Sequence, residues 1–186
     1  QPHQARSLLA QARRDRNARM RVPALDHWLT LLDAEVDLAT GLPERVEQRF
    51  TDPPADEIAG SAHRVCLARA ALARRDLRRA EKLLTAAPTT LPETIAAVEA
   101  GIVGALVADA RGHATRAVDL LAEAVRLAVH EEIRRPFITM SGSQLAGLFD
   151  RLRLLAPDHA TVATSIIDDL RAAGRSAAAT TAGESL

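Results

Sequence analysis

Few residues of this chain stand at a spacing that could do chemistry. His130-Glu131-Glu132 begins like the H-E-x-x-H helix that holds zinc through two imidazoles one turn apart. Arg134 stands where the second histidine belongs, so the segment reads as a solvated helix end. The six histidines are scattered, and none has a Cys or His partner at ligand spacing. Cys66 is the single cysteine, which rules out a disulfide framework and a cysteine-based zinc site. Its place inside a helical pattern predicts a buried structural thiol. No G-x-x-x-x-G-K-[ST] loop is present, and Ser141-Gly142-Ser143 does not make the G-x-S-x-G elbow. Asp168 and Asp169 are neighbours on a predicted helix, where adjacent side chains diverge too far for paired acid–base work. The expectation is a non-catalytic chain with no metal and no cofactor.

Charge and hydropathy narrow the partners. The chain has 186 residues, 24 basic and 24 acidic, so net charge gives no bulk pull toward nucleic acid or membrane. Arg13-Arg14 with Arg16, Arg19 and Arg21 form one basic cluster, and Arg74-Arg75 with Arg78-Arg79 form another. Both alternate with acidic or apolar residues and carry no interleaved aromatic, so solvated helix faces are expected. No apolar stretch reaches the ~18 residues of a membrane span, and no leader pattern opens the chain. A soluble cytoplasmic protein is expected. The first residue is Gln1 rather than methionine, as in a segment of something longer.

The composition, rich in Ala, Leu and Arg and poor in β-branched runs, predicts an all-α protein. A first helix is expected over residues 5–21, ended by Pro23, and a second from Leu25 to Thr40. Gly41 stops the second, and Pro43 suits the first turn of a third, Glu44 to Phe50. Asp52-Pro53-Pro54 reads as a cap and first-turn prolines for a helix reaching about Arg74. Leu77 to Ala87 follows. Thr90 to Glu93 resembles a capping box that opens a central helix, closed at Arg111-Gly112-His113. Gly101, Gly104, Ala105 and Ala108 put small residues along one side of it, where a second helix can approach closely. That second helix presents Ala117, Leu120, Leu121, Ala124, Leu127 and Ala128, and is expected to end at Arg134-Arg135-Pro136-Phe137. Ser141-x-x-Gln144 opens a helix through Leu145, Leu148, Phe149 and Leu152. Pro157-Asp158 starts a last one with Val162, Ile166, Ile167 and Leu170 apolar.

The turns at Gly41, Arg75 and Gly112 lie 34 and 37 residues apart. Five residues after each comes a small apolar residue (Val46, Ala80, Ala117), and four later a large one (Phe50, Leu84, Leu121). Ahead of them, Leu67-Ala68 and Gly104-Ala105 stand where a tetratricopeptide repeat has its Leu-Gly pair, while Asp33-Ala34 keeps only the small residue. A two-helix unit at about 34 residues is the period of that repeat. The expected fold is an all-α, tetratricopeptide-like helical-hairpin solenoid, a right-handed superhelix of about ten helices over residues 1–173. Residues 174–186, small and polar, read as a flexible linker.

The stretch from Ala108 through Phe149 resembles the superhelical tetratricopeptide region of the large bacterial LuxR-type activators (MalT-like). The resemblance rests on a Gly-containing turn, an Ala-Leu-rich helix, Arg135-Pro136-Phe137, and the leucine-rich Leu145 to Phe149. Where the family often has acidic residues after the Phe, this chain has Thr139 to Ser143. The resemblance implies a sensor or protein-interaction region that answers to a small-molecule inducer or protein partner, with self-association open. It implies DNA contact only through a following helix-turn-helix domain and ATP only through a preceding module. The alternative is a free-standing tetratricopeptide adaptor for a peptide or protein.

In such a superhelix the first helix of each unit lines the concave face. The repeat phase puts Trp28, Leu31 and Glu35 there from the first unit, Val65, Arg69 and Leu72 from the second, and Glu99, Leu106 and Asp109 from the third. Trp28, Glu35, Arg69, Glu99, Leu106 and Asp109 are the candidate contacts for a polar ligand or peptide. The charges could equally pair with one another, and Trp28 reads first as packing. The Lys/Asn pattern that clamps a C-terminal carboxylate is missing.

Overall fold

A computed structural model describes residues 2–17, 23–50, 57–85, 94–140, 143–155, 164–166 and 168. All regular structure among the described residues is helical: α1 Pro2–Asn17, α2 Pro23–Ala39, α3 Pro43–Arg49, α4 Glu57–Ala73, α5 Leu77–Thr85, α6 Thr94–Ala110, α7 Ala114–His130, α8 Arg135–Thr139 and α9 Ser143–Leu155. A further helical stretch covers 164–166, and no described helix is long and apolar enough to cross a membrane. The chain divides into two compact units, Gln1–Pro92 and Glu93–Leu186.

The three turns expected at 41, 75 and 112 share one geometry. Gly41, Arg75 and Gly112 all have positive φ, at 70°, 64° and 79°. In each, the next residue's amide donates back across the turn: Leu42 to Asp37 O, Asp76 to Ala71 O and His113 to Ala108 O, each at 2.9 Å. This six-to-one bond satisfies a carbonyl that the helix end would otherwise leave open. Glycine adopts the left-handed conformation without a Cβ clash at 41 and 112, whereas Arg75 is held there against the ~1–2 kcal/mol that an L side chain costs. Glu132, at φ 55°, makes a fourth turn of this kind, with Ile133 N–H donating to Ala128 O at 2.8 Å.

Burial follows the same register. Seven residues before the three hairpin turns, Ala34, Ala68 and Ala105 have no exposed surface, and neither have Val46, Ala80 and Ala117 five residues after. In the first unit, Ala34, Val46, Phe50, Cys66, Leu67 and Ala70 form one cluster, so Cys66 is the buried thiol expected. In the second unit, Ile102, Leu121, Leu148 and Leu152 close a larger core in which the Phe137 and Phe149 rings lie 5.8 Å apart. Ile166, on the segment expected as the last helix, is buried there too.

Several boundaries differ from expectation. Pro23 begins α2 rather than ending α1, and α7 stops at His130 rather than at the proline. Pro136 lies in the first turn of α8, where its missing N–H costs nothing. Phe137 is fully buried, and bringing it inward requires the reversal at Glu132. The capping segments at 52–54, 90–93 and 141–142, Pro157-Asp158, and the linker 174–186 lie outside the described residues.

In the small-residue stripe of α6, Gly101 leaves no room for a side chain. A Cβ on Gly101 would stand 2.9 Å from Ala124 Cβ and 3.6 Å from Leu120 O, inside α7. Gly101→Val is therefore expected to force the α6–α7 pair apart and to cost about 1–3 kcal/mol. Urea denaturation of the variant checks this.

Candidate functional site

Of the six candidate contacts, Glu35 and Arg69 are brought together. Each lies six residues before its turn residue, 34 apart in sequence, on α2 and α4. Arg69 Nη2 donates to Glu35 Oε2 at 3.1 Å, and Nη1 donates to Oε1, making a two-pronged ion pair. The side chains are only 9% and 22% exposed, so the pair is sheltered and geometrically fixed. Asp109 accepts from Arg151 Nη2 of α9 at 2.6 Å. Pairing of these charges with one another, one of the two readings, therefore holds for Glu35 and Arg69, whereas Asp109 pairs outside the set. Glu99 is half-buried and engaged by a neighbour, and Leu106 packs against the core of the second unit.

Two expectations for the concave face fail. Val65 is fully buried, in core rather than on an open surface, and Leu31 leans on the first-unit cluster. Trp28 is 53% exposed instead of packed. It shares a stripe of α2 with Leu25 and Leu32, also exposed, at i, i+3 and i+7 spacing, which is one helix face.

The opposite side of α2 is an electrostatic clamp. Asp37 is 1% exposed, accepting from Arg6 Nη2 of α1 at 3.1 Å and from Arg49 Nε of α3 at 2.8 Å. Arg49 Nη1 also reaches Asp33 at 3.3 Å, Arg13 pairs with Asp33, and Arg6 donates to Thr40 Oγ1 at 2.7 Å. The basic clusters are thus not simply solvated faces: Arg13 is spent on Asp33, and Arg74 and Arg79 both pair with Glu47 of α3.

The fold also assembles a pair that spacing did not show. The His27 and His63 rings, from α2 and α4, lie 4.7 Å apart, and Phe50 lies 4.1 Å from His63 on another side. His63 is 7% exposed, and among the described residues neither ring nitrogen has a hydrogen-bond partner. Burial lowers its pKa from 6.5 to about 4, and the neighbouring His27 adds to the shift. No third His, Cys, Asp or Glu joins them among the described residues in a group that could hold a metal. In the second unit, a half-open cavity of about 580 Å3 lies between the α7–α8 reversal (Val129, Glu132, Ile133, Arg134) and Ser165-Ile166. It is of small-ligand size and mostly apolar, with Glu132 and Arg134 among its described lining residues.

Two outcomes follow from the buried polar groups. Asp37→Asn removes the charge shared by α1 and α3, and unfolding in urea should show a loss of about 2 kcal/mol, below the buried-pair range because both arginines are partly solvated. For His63, the unfolded chain binds a proton near pH 6.5 and the folded chain only near pH 4. Between those values the unfolded state holds more protons, so stability falls as pH drops through the window. From pH 7 to pH 5 the loss should be about 2 kcal/mol by linkage, and His63→Leu should remove it.

No protein-family model, curated protein or solved structure matches the chain.

Proposed function

We propose that this chain is a non-catalytic, tetratricopeptide-like interaction region of a LuxR-type (MalT-like) transcription regulator. In this reading the hairpins stack into a right-handed superhelix, and an inducer or protein partner bound to them biases an attached DNA-binding domain. The observation that carries the reading is the repeated register. Left-handed turn residues at 41, 75 and 112, with fully buried residues seven before and five after each, make three hairpins of one design. Such units present long surfaces and suit binding rather than chemistry. The apolar cavity beside Glu132 and Arg134 supports a small-molecule inducer. The exposed Trp28 favours a second reading, an adaptor for a helical or peptide partner.

Coupling to DNA binding requires that the ligand distinguish two states of the protein. The discriminating experiment is to read the encoding gene beyond the codon for Leu186. A helix-turn-helix of about 60 residues is expected there. A stop codon would overturn the regulator reading and leave the adaptor.

A further inference from the structure

The half-open cavity of the second unit joins an apolar wall to a charged mouth. Ala128 and Ile166, both buried, line it together with Ile133 and with Val129, Glu132 and Arg134, which are exposed. The wall therefore runs from the core to solvent, with both charged side chains at its outer end. A volume of about 580 Å3 suits a small organic molecule rather than a lone ion.

The two charged groups are not equivalent. Arg134 Nη1 donates to Ser165 Oγ at 3.4 Å, and Arg134 has a further partner. The Glu132 carboxylate, two residues away, makes no hydrogen bond or ion pair among the described residues, with Arg134 or with any other group. Its backbone is held firmly all the same. Glu132 sits at a φ of 55°, where an L side chain is strained, and the Ile133 amide closes the turn on Ala128 O at 2.8 Å. The carboxylate is thus carried on a braced reversal and not on a fraying helix end. Helix direction adds to the same sign. Ala128 and Val129 belong to the last turn of α7, a helix of 17 residues, and its C-terminal carbonyls are the negative pole of its dipole. A cation at this mouth is favoured by that pole and by an unpaired carboxylate. An anion is favoured only by an arginine already engaged.

We propose that this cavity binds a small organic amine, with its apolar body against Ala128, Val129, Ile133 and Ile166 and its ammonium on the Glu132 carboxylate. The proposal rests on reading the cavity as the inducer site, and is independent of an attached DNA-binding domain.

The test titrates the whole chain at neutral pH with three probes of one shape, phenylbutylamine, phenylbutanol and phenylbutyrate, followed by methyl nuclear magnetic resonance. Shifts are expected at Val129, Ile133 and Ile166. The amine should bind about three- to fivefold more tightly than the alcohol, as fits a carboxylate open to water. Glu132→Gln, with an unchanged circular dichroism spectrum, should bring the amine to the alcohol's affinity and leave the alcohol's own affinity as it was. In the unaltered chain, added salt should narrow the same gap. The alcohol or the butyrate bound as tightly as the amine, with the same methyl shifts, overturns the amine and leaves the cavity a ligand site. An amine preference that survives Glu132→Gln overturns it as well. No methyl shift from any probe up to about 10 mM overturns both the amine and the inducer site.

Discussion

Close approach of paired helices is the constraint on which the rest of this structure depends. Ala34, Ala68 and Ala105 lie on the first helix of each hairpin and Val46, Ala80 and Ala117 on the second, and all six are without exposed surface. Alanine buries little area per residue, so these positions serve close approach, while large side chains such as Leu121, Phe137 and Phe149 supply the buried area of the second unit. Tight pairing in turn demands turns of fixed shape. The left-handed residues at 41, 75 and 112 and their six-to-one amide bonds supply them. Arg75 takes the same left-handed φ although it is not glycine, between the fully buried Ala68 and Ala80. Gly101 shows the same constraint most sharply, since even one methyl there would collide with Ala124.

Around this apolar frame, polar groups fix which helix meets which. Asp37 stands at the register position that Ala71 and Ala108 occupy in the later units, all of them buried. A carboxylate there is tolerable only because Arg6 and Arg49 reach it, and it ties α1 and α3 to α2. The Glu35–Arg69 pair does the same between α2 and α4, from positions six residues before their turn residues. His63 has no such partner among the described residues and stays neutral beside Phe50 and His27 at ordinary pH. The first unit therefore carries a built-in sensitivity to acid.

Much of the local architecture was legible in the sequence, because it follows from single residues at fixed offsets. Gly41 and Gly112 mark turns by chemistry, Arg75-Asp76 by the break between two helical patterns, and the small residues by period. Pro136 misled for a physical reason. Proline disfavours helix before it, but α7 ends earlier, where Glu132 reverses the chain and Phe137 drops into the core. The candidate surface was less readable. Glu35 and Arg69 shared a phase, and their pairing could be anticipated. Trp28, by contrast, is exposed because of which helices lie beside α2, and His27 meets His63 only through the stacking of α4 on α2. Neither fact is encoded in a short window.

The central claim is that three hairpins share one packing register, with contact between residues twelve apart across each turn. Methyl–methyl nuclear Overhauser effects test it most directly. Cross-peaks are expected for Ala34–Val46, Ala68–Ala80 and Ala105–Ala117 alike. Absence of the Ala68–Ala80 cross-peak, in the one hairpin whose turn residue is not glycine, would contradict a common register and with it the repeat.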